Sequence, residues 1–197
     1  PHSIFKILTN AIKSETRINL AQSGDFWVSF DHHSELKRQD KEALVQVIQE
    51  KNDQIRTYLK KCDLLIITFG TAFVYRHLES GELVANCHKI PATNFEKKLL
   101  DISTTLNEFK TFKELIHQVN PAIKLMFTLS PVRHIKDTIP LNSVSKAILR
   151  ASIHQIIQLF PEVIYFPSYE IMMDDLRDYR FYKEDMIHPT SQAEDYI

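Results

Sequence analysis

Apolar residues along this chain fall into two alternating patterns: stretches spaced for amphipathic helices, and short continuous runs that stop at glycine or proline. Ile4, Phe5, Ile7, Leu8 and Ile12 predict an N-terminal helix with Pro1 near its first turn. Residues 20–36 read as polar and irregular apart from Phe26-Trp27-Val28-Ser29-Phe30. From about Arg38 to Lys61, Leu44, Val47, Ile48, Ile55, Tyr58, Leu59 and Cys62 form a helical stripe. Leu64 to Phe69 is a continuous apolar run ended by Gly70, the pattern of a strand buried on both faces. Residues 73–87 predict a hairpin insertion turning at Glu79-Ser80-Gly81-Glu82. A helix is expected from about Asn94 to Val119, then a strand from Ile123 to Leu129 ended by Ser130-Pro131. Ser143 is expected to cap a helix running through Phe160, Val163 to Phe166 is a third strand ended by Pro167, and residues 191–197 read as helix.

No repeat, low-complexity segment or Gly/Ser-rich linker divides this order, which predicts one α/β domain with a parallel sheet and right-handed crossovers. A length of 197 residues suffices for a core. An apolar fraction of 44% and a charged fraction of 25% are those of an ordinary globular chain. The net charge of −1 gives no field that would draw nucleic acid or an anionic membrane, so neither is expected as a partner. No apolar stretch reaches the roughly 20 residues that span a bilayer. Cys62 and Cys87 lack a CxxC spacing and fit a reducing compartment. Starting at Pro1 and stopping at Ile197 inside a helical pattern, the sequence reads as a piece of a longer protein.

The chemistry-bearing residues follow strand ends or the last helix, the edge where ligands gather in open α/β sheets. Asp185-Met186-Ile187-His188-Pro189 has the spacing by which a carboxylate orients one imidazole nitrogen and leaves the other free to take a proton. The plain structural alternative is that Asp185 caps a turn and His188 sits on the surface. Thr68-Phe69-Gly70-Thr71-Ala72 is suited to present backbone N–H groups, although Gly70 could simply end a strand. Arg133 follows a strand and is a candidate to clamp an anionic or hydroxyl-rich substrate; Arg177 and Arg180 are weaker ones, Arg177 sitting amid Asp174, Asp175 and Asp178. Ser130 precedes a proline and Ser34 follows His32-His33; both read as loop residues rather than nucleophiles. Asp31-His32-His33 has no spacing that selects a metal, so neither metal nor cofactor is expected.

Five ordered segments carry a family resemblance. They are residues 70–75, residues 86–91 (Asn86-Cys87-His88-Lys89-Ile90-Pro91), residues 128–134, residues 175–182, and Asp185 to Pro189. Together they resemble the motifs of the GSCFA domain family, which is similar to the SGNH (GDSL-type) hydrolases. The resemblance covers nearly the whole chain. It implies a flavodoxin-like, SGNH-hydrolase-like sheet flanked by helices, with His188 as general base and Asp185 as its orienting partner. The implied activity is ester hydrolysis or acyl transfer on a small-molecule or carbohydrate ester, by serine acyl-enzyme chemistry.

Two departures from the pattern bear on activity. Where SGNH relatives read Gly-x-Asn for the oxyanion hole, this chain has Ala72, whose methyl group cannot donate. One missing donor costs roughly 2.7–4 kcal/mol in the barrier. Asn86 and His88, in the hairpin motif, are the candidate replacements. The Gly-Ser-Cys-Phe-Ala segment itself is absent: Gly24, Gly70 and Gly81 are followed by Asp25, Thr71 and Glu82. The nucleophile is therefore expected upstream of Pro1, on a first strand outside residues 1–197. The alternatives are a degenerate domain that binds a glycan or acyl ligand without turnover, and an interaction domain that merely retains the fold.

Overall fold

The computed structural model describes residues 1–13 and 18–197. In chain order the elements are α1 (His2–Lys13), β1 (Leu20–Ser23), β2 (Phe26–Ser29), β3 (Lys37–Arg38), α2 (Lys41–Leu59), β4 (Leu64–Phe69), β5 (Phe73–His77), β6 (Leu83–Val84) and β7 (Phe95–Leu99). They continue with α3 (Ile102–Val119), β8 (Lys124–Leu129), α4 (Ile139–Leu159), β9 (Ile164–Phe166), α5 (Ser168–Glu170) and α6 (Ser191–Tyr196). The chain forms two compact units, one of residues 1–63, 73–100 and 107–123, the other of residues 64–72, 101–106 and 124–197.

In the first unit, α1 packs on α2, and Phe5 lies 5.5 Å from Phe112 and 6.0 Å from Phe109 between ring centroids. Asp40 caps α2 by accepting the Ala43 N–H at 2.7 Å, which sets the start of the striped helix. Two antiparallel sheets complete this unit, ordered β1-β2-β3 and β6-β5-β7. The β5–β6 hairpin closes where Gly81 takes φ 71°, as expected from the Glu79–Glu82 turn signal.

Two strands here differ from expectation. Residues 20–23, read as irregular, form β1 because Gly24 at φ 59° folds them back onto β2. Residues 95–99, read as the start of a helix, form β7 paired along the whole of β5. Its Glu-Lys-Lys centre has weak strand propensity, so the pairing decides. The helix begins only after Asp101, whose carboxylate accepts the Thr104 N–H at 2.6 Å.

The second unit is built on a parallel sheet ordered β4-β8-β9, with Ile67 opposite Phe127 and Tyr165 opposite Phe127. Central β8 is the strand that the apolar runs anticipate, with Leu125, Phe127, Thr128 and Leu129 all buried. β4 departs from the expectation of burial on both faces. Ile67 and Phe69 are buried while Leu64, Ile66 and Thr68 are exposed, so only one face of the strand is covered among the described residues. α4 starts before Ser143: Thr138 accepts the Leu141 N–H and Pro140 occupies the first turn, so Ser143 lies inside the helix.

Candidate functional site

Both parallel strands β4 and β8 release their chains at the carboxyl edge into short loops, and α4 ties those loops together. Lys146, only 2% exposed, donates from Nζ to the Gly70 carbonyl at 2.6 Å and the Ser130 carbonyl at 2.7 Å. Burial lowers its pKa from 10.5 to about 8. Its neighbour Ser145 accepts the Ala72 N–H at 2.7 Å and meets the Thr71 hydroxyl at 3.1 Å.

Within Gly70-Thr71-Ala72, this arrangement takes one backbone donor out of use. The Ala72 amide is spent on Ser145, and Ala72 is fully buried. Gly70 has no left-handed φ, and a Cβ there would meet His134 Nε2 at 3.5 Å, an ordinary contact. Ser130, the other strand-end candidate, accepts the Val132 N–H with its hydroxyl at 3.2 Å.

The segment carrying Asp185 and His188 is a closed loop. Tyr182 and Pro189 form an antiparallel bridge, and Lys183 N–H donates to the His188 carbonyl at 2.8 Å. Beneath it a small apolar cluster of Met172, Leu176, Tyr182 and Ala193 holds the base of the loop. Asp185 Oδ1 accepts the N–H groups of Ile187 at 2.8 Å and His188 at 3.0 Å, while Oδ2 takes the His188 Nδ1–H at 2.6 Å. The His188 amide, its ring and the Ile187 amide together pull the Asp185 carboxyl down to about 2, so it is ionised throughout the physiological range. The bond fixes the imidazole proton on Nδ1 and leaves the Nε2 lone pair with no partner among the described residues. Turn cap and oriented histidine are here one structure.

Arg133 braces this loop from the end of β8. Its Nη1 donates to the Met186 carbonyl at 3.0 Å, and its guanidinium lies 4.4 Å from the Tyr182 ring centroid and 5.8 Å from that of Tyr179. Next to it opens a cavity of about 660 Å³, walled by Ile135, Ile139, Tyr169, Met173, Met186 and Ile187, with Asp185 in its lining. The wall bearing Met173 is a π-helical turn, Ile171–Leu176, a widened helix that occurs often beside functional sites. Arg177 ends that turn at φ 41°, and exposed Arg180 pairs with Asp178 at 3.5 Å.

Asn86 and His88 belong to the other unit, where both are engaged locally. Asn86 Oδ1 accepts the His88 N–H at 2.9 Å, leaving its Nδ2 without a partner among the described residues. Buried His88 donates from Nε2 to the Ser29 carbonyl at 2.6 Å, and burial lowers its pKa. In the same unit Ser29 donates to His32 Nδ1 at 2.9 Å, but Ser29 is 0% exposed and its hydroxyl also takes the Asp31 amide. That pair shapes a turn and offers no attack on a substrate. Ser34 is exposed on the following loop. Among the described residues no group of three His, Cys, Asp or Glu side chains is placed to hold a metal ion, and no helix is long and apolar enough to cross a membrane.

Sequence reasoning missed Ser145 and Lys146. Their signal is legible afterwards: Ser145, Leu149, Ser152, Ile153 and Ile156 share the buried face of α4, so polar residues stand where an apolar stripe would continue. A protein-family model, the GSCFA family, matches residues 1–197, and none of the curated proteins matches.

Proposed function

The chain belongs to the GSCFA family, and from that premise we propose that residues 1–197 supply the base and its orienting carboxylate to an SGNH-like ester hydrolase or acyltransferase. The parallel β4-β8-β9 sheet is read as part of a flavodoxin-like sheet. The observation that carries the proposal is the 2.6 Å bond from His188 Nδ1 to Asp185, which leaves Nε2 unpartnered on an exposed ring. In this mechanism a serine outside residues 1–197 attacks the acyl carbonyl and passes its proton to His188 Nε2. The alcohol leaves with that proton, often a sugar hydroxyl. Water or an acceptor hydroxyl then gives its proton to Nε2 and attacks the acyl-serine; the serine oxygen leaves, taking that proton back from Nε2, and the acid or the new ester is released. Gly70, Thr71 and Arg133 are the proposed substrate-side groups of the unit that holds His188, while Asn86 and His88 are proposed as oxyanion-donor candidates on the family motif alone.

A second reading, a ligand-binding domain without turnover, is favoured by the Ala72 amide being committed to Ser145. Serine-directed fluorophosphonate labelling of a longer protein that includes the upstream segment separates the two. The proposal expects labelling that falls by about a thousandfold in rate with His188→Ala. It also expects residues 1–197 alone to hydrolyse activated acetyl esters no faster than buffer. Unlabelled longer protein that still binds glycan supports the second reading. Turnover by residues 1–197 that His188→Ala abolishes would contradict the upstream position of the nucleophile. An Asn86→Ala protein with full esterase rates would remove that residue from the mechanism.

A further inference from the structure

The cavity beside the Asp185 loop has a chemistry of its own. Its volume of about 660 Å³ lies within the ordinary range of small-molecule sites. Its walls are aliphatic, thioether and aromatic, and several of those side chains stand exposed: Ile139 at 74%, Ile135 and Met186 at 52% each. A concave apolar surface of this kind is covered in use by something apolar.

Several polar groups in the lining are partly spent on the protein itself. Arg133 is committed to the Met186 carbonyl and stacked on Tyr182. Both carboxylate oxygens of Asp185 are taken by its own loop. Asn142 Oδ1 accepts the His134 N–H at 2.9 Å. What remains are the Asn142 amide hydrogens, the hydroxyls of Ser143, Tyr169 and Tyr179 and the other N–H groups of Arg133, set around a wall that Ile135, Ile139, Met173, Met186 and Ile187 make mainly apolar.

The cavity is also continuous with the proposed machinery, because Asp185, Met186 and Ile187 line it and His188 is the next residue along the same loop. We infer that this cavity receives the hydrocarbon chain of a straight-chain acyl group longer than acetyl, with the acyl carbonyl held at the His188 end. This rests on the acyl-transfer reading for its orientation. The occupant's chemistry rests on the lining alone, so the sugar of a carbohydrate ester would be bound elsewhere and the fatty part here.

The test measures binding rather than turnover. Sodium alkanoates from acetate to octanoate, the acids that such a reaction would release, are titrated into residues 1–197 below their micellar concentrations and followed by calorimetry. Affinity is expected to rise about fourfold per added methylene from butanoate upward. Ile139→Gln, at an exposed position that folding does not need, is expected to weaken octanoate about tenfold and leave acetate unchanged. Chain-length-independent affinity, absence of octanoate binding, or an Ile139→Gln protein that binds octanoate like wild type would each overturn the inference. Two separate readouts keep the proposals apart: octanoate binding is measured on residues 1–197, and fluorophosphonate labelling on the longer protein. A wild-type longer protein that takes no label, while residues 1–197 bind octanoate with the expected chain-length dependence, defeats only the catalytic reading.

Discussion

Replacing Lys146 by Met isolates the latch that joins the two strand-end loops. Lys146 is buried on α4, its ammonium bonded to the carbonyls of Gly70 and Ser130 at 2.6 and 2.7 Å. Burial brings its pKa from 10.5 to about 8. The direction fixes the sign of the pH effect. A lysine whose folded pKa is lowered binds fewer protons folded than unfolded between about pH 8 and 10.5, so stability rises with pH across that window. Below pH 8 the folded state carries the cost of a buried charge; above it the neutral amine still has two N–H donors, enough for both carbonyls.

Worked through for a pKa of about 8 folded and 10.5 unfolded, the wild type gains about 2 kcal/mol between pH 7 and pH 9.5. The two carbonyl bonds favour the ammonium and oppose burial, so this value is an upper bound. Met has no such term, and it leaves two carbonyls without their donor, at about 1–3 kcal/mol each where water is excluded. Urea unfolding of wild type and Lys146→Met at pH 7 and pH 9.5 measures the difference, with other titrating groups cancelling between the two proteins. The wild type should gain on the variant by 1–2 kcal/mol (roughly) over that interval. Parallel pH profiles would refute a charged, desolvated Lys146.

Asp185→Asn should release the His188 tautomer. Long-range nitrogen NMR is expected to show Nδ1–H imidazole in the wild type and mixed tautomers in the variant, and unchanged spectra would sink the orienting role. Since the Asp185 carboxyl is depressed from 3.8 to about 2, its hold on the loop persists above pH 4 and is lost as pH falls through about 2, visible in the His188 amide shift. Arg133→Lys keeps the charge but loses the planar stacking on Tyr182, and should raise amide exchange at Met186 and Ile187 severalfold without changing the melting temperature by more than a few degrees. Met186→Gly relieves a side chain held at φ 57°, so stability should move by less than about 1 kcal/mol while octanoate binding weakens; a loss of several kcal/mol would mean that the loop is held differently.

The strands and helices with a strong period were legible from sequence, and the failures have a common physical cause. β8 and α2 follow their apolar patterns closely, because a central strand and an amphipathic helix are decided by what they bury. β1 and β7 were not legible, since neither Leu-Ala-Gln-Ser nor Phe-Glu-Lys-Lys-Leu favours a strand until β2 and β5 pair with it. α4 could have been placed from the Thr138-x-Pro140 signal, which outranks Ser143 as a start. At the site, the Asp-x-x-His spacing is legible because the geometry of that pair is set within four residues. Lys146 and Ser145 lie more than seventy residues from the Gly70 loop they fasten, so only the fold brings them together.

That contrast bears on how much weight Asp185 and His188 can carry. All three bonds to Asp185 arise within its own turn, so a purely structural turn would make them as readily. What a structural turn does not need lies around it. Met186 occupies a left-handed φ of 57°, where glycine or asparagine would sit at lower cost, and its side chain is spent on the cavity wall rather than on the core. Arg133 crosses from the end of β8 to hold the carbonyl of that same residue. Strain at Met186 and a long-range brace on the same residue are two features of one loop of six residues, beside an exposed Nε2. A cap alone accounts for neither. The proposed role, holding an imidazole at a fixed place beside an apolar cavity, gives a use to both, which is why the cavity and the tautomer, tested separately, bear on the same proposal.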